Sequence, residues 1–251
     1  MCNNLTDGVI SEEKFKQRFY ELIDNCEMNF NLNDDQIELF FKYTNQLLEW
    51  NKKINLTAIT DVDDIIIKHF IDSLSVLNAC EVPKNSKLID VGTGAGFPGM
   101  PIKICRPDLT VTLLDSVKKK ITFLQDLNLY LNNIEVELIN ARAEIVSRDK
   151  SYREKFDFVI SRAVAPLNIL MEYCTPFLKK GGIFVAMKGN KVYEELSCSN
   201  DAINLLGCQV IEVKSFNLPK NNYRAVVVIQ KIENTKIEYP RTSSKITKKP
   251  L

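Results

Sequence analysis

The residues whose types and spacing could do chemistry lie at Asp90–Gly99, DVGTGAGFPG. A short apolar run from Lys87 ends in an acid, Asp90. Glycines follow at alternate positions, Gly92, Gly94 and Gly96, and Phe97–Pro98–Gly99 lead into a helix-like segment. The pattern reads as a strand, a tight turn and a helix start. Glycine lets a backbone turn sharply and lets a ligand approach the main chain closely. A dinucleotide fingerprint wants G-x-G-x-x-G, and Phe97 stands where its third glycine belongs. The spacing present is D-x-G-x-G-x-G, so a nicotinamide dehydrogenase is disfavoured. The plain alternative is a glycine-rich turn without a ligand.

The elements around the turn speak against that alternative. Thr110–Asp115, TVTLLD, reads as a second buried strand that ends in an acid. Asp115 lies about twenty residues past the glycines, where a βαβ unit sets a carboxylate against a ribose. Capping of the next helix is its other possible task, and Ser116 could take that job instead. Together these features resemble the first motif of the class I S-adenosylmethionine (SAM)-dependent methyltransferases. SAM has no pyrophosphate to seat on the helix. The resemblance implies that its amino-acid part lies along the turn and its adenosine extends towards the next strand.

Composition narrows the function classes. The chain has 251 residues, one histidine, seven cysteines and a formal net charge of +1. No apolar run approaches membrane-span length. MCNNLTDGVISEEKF has no basic stretch followed by an apolar core, so no secretory signal is expected. The cysteines are scattered without a C-x-x-C, which fits reduced thiols in a cytoplasm and argues against a zinc site. A lone His69 rules out a multi-histidine metal centre, and no elbow motif supports a triad around it. Near-neutral charge means that any nucleic acid must be held by local basic patches. No metal and no membrane are expected, and a monomer is.

Residues 11–80 read as helical. Asn33 and Gln36 look like an N-cap with a reach-back residue, and Ile37, Phe40, Phe41, Thr44, Leu47 and Leu48 keep helical spacing. Thr60-x-x-Asp63 gives a second start signal, before a helix to about Cys80. From Lys87 strand and helix alternate, the mark of a parallel sheet covered on both faces. Strands are expected at 87–91, 110–115, 135–139, 156–161, 182–188, 208–216 and 223–231. Helices are expected near 98–106, 117–131, 142–148, 166–178 and 191–206. The connection at 217–222 is too short for a crossover helix, so the last two strands should be antiparallel. The expected fold is therefore α/β and Rossmann-like, with seven mostly parallel strands and an antiparallel last strand. Its divisions are a helical extension (1–82), the core (83–232) and a basic tail (233–251).

Several strings together resemble one family, the ribosomal small-subunit methyltransferase G, long called glucose-inhibited division protein B. They are WNKKINLT from Trp50, KHFIDS from Lys68, the DVGTGAGFPG turn, NARAE from Asn140, SRAVA from Ser161 and the closing KKPL from Lys248. The resemblance spans residue 40 or so to the C-terminus. It implies a bacterial cytoplasmic enzyme that moves a methyl from SAM to N7 of a guanine. That guanine would lie in a decoding-region loop of 16S ribosomal RNA in the small subunit or its precursor. By motif it implies Asp90, Gly92, Gly94, Gly96, Phe97, Asp115, Ala143, Glu144 and Arg162 at the cofactor, with Arg162 also facing the acceptor; Lys188, just past the fifth strand at the same sheet edge, is a second candidate to position it. The tail departs from the family's usual PRK-x-G-x-P pattern: PRTSSKITKKPL lacks that glycine and internal proline.

Guanine N7 already carries an in-plane lone pair, so no strong general base is needed and in-line positioning carries the chemistry. The sequence agrees. Ser161–Arg162–Ala163–Val164 stands where adenine-N6 enzymes keep an Asn/Asp-Pro-Pro-aromatic string. No Pro-Cys pair is there to form a covalent intermediate, and Cys174 reads as core. Lys118, Lys119, Arg142, Lys188, Arg241, Lys248 and Lys249 are the expected RNA-contacting cations. His69 reads as a packing residue able to pair with Asp72 three positions on. Phe97 could stack on a base, whereas Trp50 reads as core. Competing functions are a methyltransferase for a small molecule or protein, and a ribosome-assembly factor that binds without turnover.

Overall fold

The computed structural model describes residues 10–26, 28 and 31–251. The first nine residues, with Cys2 and most of the stretch read for a leader, lie outside that range. Two helices open it. Helix α1 (Glu12–Asp24) starts where the Ser11 side chain accepts from Lys14 N–H. Helix α2 (Asp34–Asn51) starts at a complete capping box between Asn33 and Gln36. Each satisfies N–H groups the helix cannot, and Asp34 and Asp35 complement the dipole of α2. Phe15, Phe19, Phe40, Tyr43 and Leu47 are fully buried between these helices and the rest of the chain. Each such burial stabilises by about 1.5–3 kcal/mol.

Helix α3 (Val62–Ile65) is capped by Asp61, one residue later than the Thr60 signal suggested, because the Asp61 carboxylate accepts from Asp64 N–H. It continues as a π-helical turn over Ile66–Ile71 and then as helix α4 (Asp72–Ala79). The rest alternates as expected: β1 (Lys87–Val91), α5 (Gly99–Cys105), β2 (Thr110–Asp115), α6 (Lys118–Tyr130), β3 (Val136–Asn140), α7 (Ala143–Val146), β4 (Phe156–Arg162) and α8 (Leu167–Cys174). Then come β5 (Leu178–Lys188), α9 (Val192–Ser197), α10 (Asn200–Leu205), β6 (Cys208–Leu218), β7 (Asn222–Lys231) and α11 (Ser243–Lys248). The single helix expected near 191–206 is two, and the basic tail holds a short helix.

One seven-stranded sheet runs β3-β2-β1-β4-β5-β7-β6. β1 to β5 are parallel, and β7 is antiparallel to both neighbours. β1 and β2 are buried on both faces after their first residue, as central parallel strands must be. The order reverses between β1 and β4, and ligands in open α/β sheets bind at such a switch point. The N-terminal helices share one hydrophobic cluster with a face of the sheet; Phe19, Phe40, Phe70 and Phe97 all belong to it. The opposite face packs on α8 through Leu170, Met171 and Cys174.

Candidate active site

The glycine turn is pinned from behind. Gly92 and Thr93 N–H both donate to Leu114 O, at 2.8 and 3.1 Å, and Gly94 N–H donates to Asp115 Oδ2 at 2.9 Å. Asp90 is fully buried, and its Oδ2 accepts from Thr93 Oγ1 (2.7 Å) and Gly99 N–H (2.8 Å). Burial pushes its carboxyl up to about 6 against those two bonds, and Oδ1 has no partner among the described residues. Asp90 thus shapes the turn from the far side of the cavity wall. The three glycines differ. Each has positive φ, but a Cβ on Gly92 would collide with Val164 and one on Gly96 with Tyr43 and Leu124. Only at Gly94 would a Cβ point into open space. Gly96 therefore serves packing, and Gly94 faces open space in the cavity wall.

A cavity of about 620 Å³ opens over this turn at the C-terminal ends of the strands. Asp115 and Glu144 line it, with Ala143 beside them. Asp115 Oδ1 accepts from Val117 N–H (2.8 Å), so it also fastens the start of α6, while Oδ2 takes Gly94 N–H and Lys120 Nζ (3.3 Å). Ser116, the other capping candidate, is exposed. Lys118 and Lys119 are exposed too; the third lysine of that run is the one that reaches the acid. SAM fits this cradle. The lining offers an open backbone face at Gly94, a nearly buried acid at Asp115 and the Ala143–Glu144 pair, groups able to receive a polar, hydroxyl-bearing ligand. Ser243 and Thr247 of α11 close one side. Nothing in the tail's composition announced that; only its fold onto α8 brings them there.

Arg162, at the end of β4, sits between this cavity and a second. Its Nη1 donates to Asp72 Oδ2 and Lys68 O, both at 2.8 Å, and its guanidinium lies 5.2 Å from the centre of the Phe97 ring. Phe97 is stacked between His69 (4.4 Å) and Tyr43 (5.1 Å), so both of its faces are covered by protein. Tyr43 OH donates to Ala95 O and ties α2 to the turn. His69 Nε2 meets Thr57 Oγ1 at 2.9 Å and Nδ1 meets Arg162 Nη2 at 3.4 Å. Burial, then the Arg162 charge, pushes the imidazole down to about 3, so it is neutral at neutral pH. The expected His69–Asp72 pair does not form directly. Both belong to or flank the π turn, whose wider winding changes their phase, and each meets Arg162 instead.

The second cavity, also about 620 Å³, adjoins the first along Arg162–Ala165 and lies over the ends of β4, β5 and β7. Ala163, in the shared wall, has φ of 55°, a strained conformation for a residue with a Cβ. Lys188, Glu195, Asp72 and Arg224 all line this cavity. Arg224 Nε donates to Asp72 Oδ1 at 3.0 Å, so one buried carboxylate holds two arginines. Sequence reading gave no role to Arg224 or Glu195.

The expected RNA-contacting cations divide. Lys118, Lys119, Arg142, Lys248 and Lys249 are exposed. Lys188 is buried, bonded to Ala165 O and to Glu195. Arg241 is turned inward: its guanidinium and its N–H both reach Glu172, whose side chain is 1% exposed. That bond anchors the tail to α8. Trp50 donates to Asp126 at 2.6 Å and packs edge-on to Phe123. Among the described residues no group of three or more His, Cys, Asp or Glu side chains is arranged to hold a metal.

The sheet order and helix layers are those of class I SAM-dependent methyltransferases. A SAM-dependent methyltransferase from Aquifex aeolicus aligns over 74% of this chain and 98% of its own, with TM-score 0.55 at 17% identity. TrmN from Thermus thermophilus aligns over 64% and 48%, with TM-score 0.51 at 14%. At such identities the likeness shows the fold alone. Sequence comparison reaches further. The family described as rRNA small subunit methyltransferase G matches residues 36–225. A protein of that name from Alkaliphilus oremlandii is 46% identical over 89% of this chain and 94% of its own. One from Thermoanaerobacter sp. is 49% identical over 86% and 90%. SAM is the methyl donor, and with a match that runs from α2 into β7 this chain belongs to the rRNA small subunit methyltransferase G family.

Proposed function

We propose that the enzyme methylates N7 of a guanine in the decoding-region loop of 16S ribosomal RNA, on the small subunit or its precursor. The observation that carries this reading is the pair of adjoining cavities, one walled by the glycine turn and the other by charged side chains, which meet at Arg162–Ala165. SAM supplies an electrophilic methyl group. Attack by the N7 lone pair on that methyl carbon would break the carbon–sulfur bond and return its electrons to sulfur, with Arg162 and its neighbours holding the two partners in line. The positive charge passes from sulfonium to guanine, and no proton is transferred. The chain's own residues agree with that demand. His69 is neutral but has both ring nitrogens engaged, so it is not a free base. Asp72 has both oxygens committed to arginines.

In this reading the Gly92–Gly94 backbone bears on the amino-acid part of SAM and Asp115 on its ribose. Ala143 and Glu144 bear on the adenine. Arg162 holds the boundary between donor and acceptor, where fixing the geometry can contribute about 7–11 kcal/mol. The exposed lysines and Arg142 meet phosphates. The substrate sets the proposed activity in the cytoplasm, and a single chain carries both cavities, which supports a monomer as the working unit. No described helix is long and apolar enough to cross a membrane. The test is transfer of labelled methyl from SAM to small-subunit particles from a strain lacking the enzyme, with nucleotide-resolution mapping. Label confined to 7-methylguanine in that loop is expected; label on another atom or only outside the loop refutes the reading, and ribonuclease-resistant acceptance favours a protein or small molecule.

A further inference from the structure

We infer that Glu195 and Lys188 form a reader for the Watson–Crick edge of the acceptor base, selecting guanine by an acceptor and a donor set side by side. The inference rests on the guanine-N7 reading above and adds the residues that choose the base. Lys188 Nζ lies 2.7 Å from Glu195 Oε2 and donates to Ala165 O at 2.8 Å. Leu167 N–H donates to the same Oε2 at 2.8 Å. The carboxylate is thus held through Oε2, and the ammonium through Glu195 and Ala165 O. Oε1 has no protein partner among the described residues, and the side chain is 26% exposed into the second cavity. Lys188 lines the same cavity, and its side chain is 6% exposed, so its ammonium is largely shielded from water.

Guanine offers O6, an acceptor, next to N1–H and then N2–H₂, both donors. An ammonium beside a carboxylate matches that order. Adenine offers the reverse, a donor amine next to an acceptor ring nitrogen, and would set lone pair against carboxylate. O6 lies between N1 and N7 on the ring, so a base held by O6 and N1–H presents N7 on its other side. The shared wall at Ala165, to which Lys188 is bonded, also borders the cofactor cavity. Methyl transfer leaves the guanine cationic. A carboxylate on N1–H therefore strengthens its bond as that charge develops, which is a transition-state effect. Asp72, the other carboxylate of the cavity, is not available because both its oxygens are bound by Arg162 and Arg224.

The test uses reconstituted small-subunit particles carrying either guanine or 2-aminopurine at the acceptor position. 2-Aminopurine keeps N7 and the 2-amine but lacks O6 and N1–H. Wild-type enzyme should favour guanine in kcat/KM by about ten- to a hundredfold. Glu195→Ala should lose that factor on guanine, mainly in kcat, and lose clearly less on 2-aminopurine, so that the ratio between the two acceptors falls towards one, with SAM affinity within about threefold of wild type. Glu195→Gln keeps an acceptor for Leu167 N–H and serves if the alanine variant does not fold; its amide N–H₂ faces the guanine donors, so it too should lose the preference. An equal fall on both acceptors, or no change in the ratio, overturns the inference while wild-type labelling of guanine N7 leaves the function standing. Absence of N7 label from wild-type enzyme overturns both.

Discussion

The two cavities that meet at Arg162 are built by different means. The cavity over the glycine turn, proposed to hold the cofactor, is a product of backbone conformation: positive φ at three glycines, N–H groups fixed to Leu114 and Asp115, and one open face at Gly94. The second cavity, proposed to receive the acceptor base, is a product of charge. Asp72 bridges Arg162 and Arg224, and Lys188 pairs with Glu195, which brings together residues from α4, β4, β5, α9 and β7. Backbone walls tolerate little substitution but need few side chains. Charged walls depend on partners, because a buried charge that loses its partner is costly. The difference predicts that cofactor affinity and fold stability can be damaged separately.

The largest effect is expected on the charged side. Asp72→Ala leaves two arginines facing each other without a carboxylate and should cost about 3–5 kcal/mol in urea denaturation. SAM affinity of the folded fraction should stay within about threefold. A parallel loss of SAM affinity would break the separation. The reverse case is Gly94→Val, which fills the open face. It should weaken SAM about a hundredfold by calorimetry, or about 2.7 kcal/mol. A side chain at φ +63° should cost stability only about 1–2 kcal/mol. Unchanged affinity would remove Gly94 from the cofactor wall.

A pH experiment sharpens the boundary between the two cavities. The folded state holds His69 at about 3, against an ordinary value of 6.5. The unfolded chain therefore takes up a proton on acidification that the folded chain refuses, and stability is lost as pH falls below 6.5. Asp90, held at about 6, acts in the opposite sense, adding stability that is lost as pH rises towards 6. Relative to wild type, His69→Gln should gain about 2 kcal/mol in urea denaturation between pH 7.5 and pH 5. A constant difference would show that His69 titrates alike in both states. The smallest effect belongs to the rim. Lys118→Ala with Lys119→Ala should lower the slope of log affinity for RNA against log salt by about one to two units. An unchanged slope would make them ordinary surface lysines.

The strand ends were legible because apolar runs closed by acids leave few choices: Asp90 and Asp115 end expected strands and stand at the ends of β1 and β2. The closing hairpin followed from connection length. Local chemistry also misled by small amounts. Thr60 and Asp61 can both cap, and only the path into α3 selects Asp61. The helix near 191–206 breaks at Cys198–Ser199, although the sequence has no glycine or proline there. Arg241 and Lys248 read alike as basic tail residues. One pairs with buried Glu172, and the other is exposed on α11, whose buried residue is Ile246.

By itself the sequence determined the sheet, the glycine turn and the acid that faces it, since these depend on residues near one another in the chain and on backbone geometry that few residue types allow. It determined the family as well, through strings that need no fold to be read. The tertiary structure alone decided which charges meet. The π turn that rotates His69 and Asp72 towards Arg162, the return of Arg224 to the same carboxylate, and the seating of α11 on the cofactor cavity join residues 90 or more positions apart or on elements with no local pattern to couple them. Pairing of that kind is fixed by packing, where the gain from burying apolar faces places charges that must then find partners.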